Sequence, residues 1–136
     1  KSALNASAAV VKTRKQLDSA FVSLVKNLQD NKVKLLAGSD CGAFNSYVYP
    51  GISLHQELKA LVKAGLSPLQ ALQTSALNGA KFLKKENIGS IKENYKADLV
   101  ILNANPLENI DETTNINLVI KNGKVFKSLE QLKTTP

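Results

Sequence analysis

The chain has one cysteine and one histidine, a single arginine among 18 basic residues, and no tryptophan or methionine. Each scarcity excludes something. Cys41 alone cannot form an internal disulfide framework or a Cys-based zinc site. With His55 as the sole histidine, a self-contained zinc site of the usual His or Cys kinds cannot be assembled either. No Gly-x-Ser-x-Gly elbow presents a serine nucleophile. No apolar run approaches the ~18 residues of a membrane span, and the stretch Lys1-Ser2-Ala3-Leu4-Asn5 lacks a signal-peptide core. No membrane partner is expected, and the cytoplasm is the default compartment. Export stays open, because a segment upstream of Lys1 would carry any such signal.

The net charge of +7 invites a nucleic-acid reading, which the side chains do not support. Base-edge contacts and bidentate phosphate clamps favour the planar fork of arginine, and Arg14 is the only one. The few aromatics do not interleave with basic clusters as a stacking platform would. A lysine-rich solvated surface with no nucleic-acid partner is the expectation. An apolar fraction of 43% excludes a disordered chain, and seven glycines and four prolines exclude collagen-like sequence.

What is present is a helical and strand pattern with an abrupt change of character. Leu17, Ala20, Phe21, Leu24, Val25 and Leu28 fall on one face of an amphipathic helix over 15–30. Residues 33–37 (VKLLA) read as a short buried strand of a parallel sheet, stopping at Gly38-Ser39-Asp40. The stretch 41–51 has no period and reads as a loop. Ser53, three residues before Gln56, has the spacing of a capping box, with Gly65 placed to close that helix in a left-handed turn. Ser67-Pro68-Leu69-Gln70 then starts another helix, predicted to run to about Lys84. From about residue 88 the runs become short and β-like: Gly89-Ser90-Ile91, then 97–102, 117–121 and 124–126, with Asn122-Gly123 as a strong hairpin signal.

A lone parallel-type strand cannot pair its backbone groups or cover both faces. Its neighbours would be strands alternating with helices, and residues 1–87 supply none. The pattern therefore matches the end of an α/β barrel or wound sheet, and a full (β/α)8 barrel needs roughly 250 residues.

Leu35-Leu36-Ala37-Gly38-Ser39-Asp40 with Gly42, then Leu54-His55-Gln56-Glu57-Leu58 and Ala64-Gly65-Leu66-Ser67-Pro68, resembles the C-terminal part of metal-dependent amidohydrolases. The subgroup it looks most like is imidazolonepropionase-related. Asn78-Gly79-Ala80, Gly89-Ser90-Ile91, Ala97-Asp98-Leu99-Val100-Ile101-Leu102, Asn105-Pro106-Leu107 and the run ending Asn122-Gly123-Lys124-Val125 continue the family pattern in order. The resemblance, over about residues 15–126, implies an α/β fold: the last strand and closing helices of a TIM-like (β/α)8 barrel over 1–87 and part of a small β-sandwich domain over 88–127; residues 128–136 read from their own pattern as a tail. It also implies a role for Asp40, at the barrel mouth beside a divalent metal, zinc by expectation. There Asp40 would contact the metal or its water and act as general base in hydrolysis of a C–N bond of a small amide-type substrate.

The family's His-x-His and its other ligands precede the matched region, so the chain alone is expected neither to hold metal tightly nor to catalyse. His55 is expected to be structural, Asp98 a turn or packing residue, and Cys41 a buried, inert thiol. Phe44, Asn45, Tyr47 and Tyr49 are the expected substrate-facing loop. A reading from another class is a non-catalytic scaffold fragment that self-associates through its unpaired strand.

Overall fold

The computed structural model describes residues 7–42 and 48–128. Helix α1 spans Ala8–Asp30 and begins at Ser7, whose hydroxyl accepts from the Val10 N–H. Helices α2 (Ile52–Lys63), α3 (Pro68–Ser75) and α4 (Leu77–Phe82) follow. The chain then forms β1 (Leu99–Leu102), a 3-10 turn (Ile110–Thr114), β2 (Ile116–Lys121) and β3 (Lys124–Ser128).

The core lies where α2, α3 and the 3-10 turn meet. Leu58, Leu61, Leu66, Ala71 and Ile110 are buried together, with Val25, Leu35 and Ala37 packed against them from the first part of the chain. Local chemistry fixes the angles. After α2 the Gly65 N–H donates to Val62 O and the Leu66 N–H to Leu61 O, while Gly65 sits at φ +103. This double closure needs a residue without Cβ strain at that point, as its sequence position suggested. Ser67 and Gln70 form a reciprocal capping box at the helix start expected there, with Pro68 in the first helical turn; such a cap contributes about 1 kcal/mol.

Three expectations are corrected. Residues 33–37 are not a buried strand: they are extended but carry no strand pairing among the described residues, and Val33 and Leu36 are exposed. A strand exists only through its neighbour's hydrogen bonds, and no neighbouring strand is present among the described residues. Ser53 does not cap α2. Gly51 holds that position, and Ser53 lies buried inside the first turn with its hydroxyl on Tyr49 O at 2.6 Å. The helix predicted from Ser67 to Lys84 is broken at Ala76, giving α3 and α4.

Beyond α4 the predicted strand at Gly89-Ser90-Ile91 is instead a series of bends. The other three β runs form one antiparallel sheet in the order β1-β2-β3. Lys121 pairs with Lys124 across Asn122 and Gly123, which have φ values of +50 and +75, so the two-residue hairpin expected from Asn-Gly is there. The first third of the chain is different in kind. Among residues 7–42 none is buried, and α1 presents Leu17, Phe21 and Leu24 to the outside.

Candidate active site

Asp40 stands at the end of the extended segment, exposed, in the left-handed backbone region at φ +48. Side chains and backbone of the following helices hold the segment that leads to it. The Val33 N–H donates to Leu28 O at 2.9 Å, which ties the start of the segment to the end of α1. The Asn78 amide donates to Leu35 O at 2.9 Å. The Ala37 N–H donates to Thr74 O at 3.2 Å. Thr74 is itself only 2% exposed, with its hydroxyl on Ala71 O. The break between α3 and α4 thus has a use: it sets Thr74 and Asn78 beside a backbone that has no sheet to hold it.

Neither Thr74 nor Asn78 was singled out as a positioning residue from sequence. The available signal was the Asn78-Gly79-Ala80 piece of the family pattern, which by itself assigns the Asn78 amide no partner. Cys41, next to Asp40, is exposed rather than buried, and the Ser39 hydroxyl donates to its Sγ at 3.1 Å.

The other motif residues are spread through the fold. His55 on α2 lies with Nδ1 3.1 Å from the Thr113 hydroxyl, which donates its own proton to Ile110 O. The contact fastens α2 to the 3-10 turn. Lys59 and Asp111 pair at 2.9 Å across the same seam. Burial pushes the half-buried Glu57 carboxyl above its usual range. Tyr49 presents an exposed ring, while its carbonyl accepts from Ser53. Phe44, Asn45 and Tyr47 lie outside the described residues.

Asp98, expected as a turn or packing residue, lies just before β1 and braces the hairpin turn from outside it. Its carboxylate accepts from Lys121 Nζ at 2.6 Å and from the Asn122 N–H at 2.8 Å, clasping the hairpin from the start of β1. The Lys121 ammonium first, then the Asn122 N–H, hold this carboxyl below the usual carboxylate range. A carboxyl with a folded pKa under its unfolded value of about 3.9 stabilises the fold above that pH. The contribution is lost as pH falls through the folded value. In thermal melts taken from about pH 6 to about pH 2, Asp98→Asn should therefore lose less stability on acidification than the parent chain. Parallel pH profiles would show that the clasp contributes nothing.

A metal needs several donors converging on one point, and no group of three His, Cys, Asp or Glu side chains capable of this occurs among the described residues. Asp40 offers one carboxylate. The described residues do not by themselves fit a metal.

Helices packed around an extended segment that ends in a carboxylate, followed by a small antiparallel sheet, define a partial α/β architecture of the kind found at the C-terminal end of a barrel hydrolase. The sequence pattern of the amidohydrolase family matches residues 4–126, and the chain belongs to that family. A 5-methylthioadenosine/S-adenosylhomocysteine deaminase of Dictyoglomus turgidum is 31% identical over 133 aligned positions, covering 82% of this chain and 30% of that one. A prolidase-type structure from Bifidobacterium longum superposes with a TM-score of 0.75 at 26% identity, over 93% of this chain and 31% of that chain. A Xaa-Pro dipeptidase with methionine bound in its active site gives a TM-score of 0.69 at 27% identity, over 79% and 25%. The structural neighbours are amidohydrolases of the TIM-barrel fold, and this chain spans about a third or less of the length of each of these three relatives.

Proposed function

We propose that this chain supplies a proton-carrying carboxylate, Asp40, to a metal-dependent hydrolase of C–N bonds in small molecules. The observation that carries the reading is the placement of Asp40. It is an exposed carboxylate at the tip of a segment pinned by Asn78 and Thr74, within a chain that belongs to the amidohydrolase family. Deamination and dipeptide cleavage, the activities named for two of the relatives, both break a C–N bond after water adds to carbon. The substrate class is a small amide, cyclic amide, amidine or dipeptide-like molecule. The order of motifs still resembles the imidazolonepropionase-related subgroup.

In this reading Asp40 accepts a proton as water oxygen bonds to the substrate carbon, then delivers it to the departing nitrogen as the C–N bond breaks. Both transfers need an open carboxylate on a fixed backbone. The divalent metal, zinc by resemblance, would be held by residues other than those described.

The test begins with the 136-residue chain by itself. Dialysed against zinc, it should retain far less than one equivalent, and it should release neither ammonia nor amine from a panel of small amides and dipeptides. One firmly held zinc per chain together with turnover would overturn the division of labour proposed here.

A further inference from the structure

The geometry points to a second binding site, an anion cleft between the end of α4 and the bends that lead into β1, suited to a small organic anion with an apolar body. The cleft holds about 600 Å3 and is lined by Lys81, Lys84, Lys85 and Lys92, against a single carboxylate, Glu86. Volumes of this order accommodate small-molecule ligands.

Charge and surface chemistry both select the ligand. The three ion pairs among the described residues engage Lys26, Lys59 and Lys121, so none of the four cleft ammoniums has a carboxylate partner there. Four like charges around one hollow repel one another, and an anion placed among them relieves that repulsion. Lys92 is further held by its neighbour, with Nζ 5.8 Å from the centre of the Tyr95 ring. Tyr95, Leu77, Ala80 and Ile88 give the same hollow an apolar wall, and Ser90 adds a hydroxyl. A bare inorganic anion would leave that wall in water, whereas an aryl or acyl phosphate or carboxylate would cover it.

Part of the lysine density has a local cause. Lys84 closes α4 in the left-handed region, with its N–H on Lys81 O and the Lys85 N–H on Ala80 O. Cations at a helix C-terminus are favourable in their own right. That effect accounts for Lys84 and Lys85. It does not account for Lys92 with Tyr95, which arrive from a separate segment to complete the cleft. The site involves neither Asp40 nor the proposed hydrolysis, so it stands or falls separately from that reading.

The experiment is an amide-resolved NMR titration of the 15N-labelled chain at low salt, with phenyl phosphate and, separately, inorganic phosphate. Phenyl phosphate should saturate at roughly tenfold lower concentration, the factor expected from covering about 60 Å2 of ring. Its shift changes should concentrate over residues 77–95, leaving the Asn122 and Gly123 amides in place. The double variant Lys81→Gln/Lys92→Gln should weaken both anions by about fivefold or more, while Lys12→Gln/Lys15→Gln on α1 should not. Equal affinity for the two probes, or shifts spread over lysines throughout the chain, would reduce the cleft to ordinary solvated charge and overturn the site.

Discussion

On the proposed role of Asp40, Asp40→Asn should lower the turnover of a hydrolase to which this chain contributes by about two to four orders of magnitude, the usual contribution of a positioned acid–base group, while its melting temperature stays the same. The separation of the two effects follows from the surroundings of Asp40. It is exposed, and none of the hydrogen bonds or ion pairs among the described residues uses its carboxylate. The fold therefore loses little with the charge. Its backbone lies at φ +48, a region asparagine tolerates as well as aspartate. Alanine there would add roughly 1–2 kcal/mol of strain and blur the result. Steady-state kinetics and thermal melts of the asparagine variant decide the matter. A loss of less than about tenfold would remove Asp40 from the proton path and leave it a loop residue.

Gly89→Ala is expected to be the more damaging change to stability. Gly89 has φ +81, and a Cβ built on it would lie 2.7 Å from Ala80 Cβ and 2.8 Å from Ala76 O. Neither neighbour is the free end of a long side chain: one is the methyl of a buried helix residue, the other the backbone at the α3–α4 break. Overpacking typically costs about 1–3 kcal/mol and a left-handed alanine about 1–2 kcal/mol, so roughly 2–5 kcal/mol is expected in total. Urea unfolding would read this as a lowered midpoint with an unchanged slope. A loss below about 0.5 kcal/mol would mean that the bends at 89–91 shift freely away from α4.

The same glycine shows why parts of the fold were legible and others were not. Gly89-Ser90-Ile91 has the composition of a β run, but it pairs with no strand of the sheet, and its tight approach to Ala76 and Ala80 leaves no trace in local pattern. Residues 33–37 depart from their pattern for a related reason. An apolar run predicts burial, yet both pairing and burial depend on neighbours from elsewhere. Features closed by a few adjacent residues were readable: the Ser67–Gln70 box, the Gly65 turn and the Asn122-Gly123 hairpin. That Asp98 serves the small sheet was readable too, but not that it reaches the turn at Asn122. For the candidate site, the identity of Asp40 was accessible through its motif, whereas its anchoring by Asn78, 43 residues away from Leu35, was not.

The hairpin that sets the register of β2 and β3 also governs how this protein ages. An Asn-Gly pair decays when the glycine nitrogen attacks the asparagine side-chain carbon, expelling ammonia and leaving a cyclic imide that reopens as aspartate or isoaspartate. In the folded chain that nitrogen is engaged, because the Gly123 N–H donates to Ala97 O at 3.0 Å, and the Asn122 N–H is held by Asp98. The reaction needs the nitrogen released and the turn re-angled, so it proceeds when the sheet opens. Accumulated isoaspartate at position 122 is accordingly a cumulative record of how often, and for how long, β1 has let go of the turn.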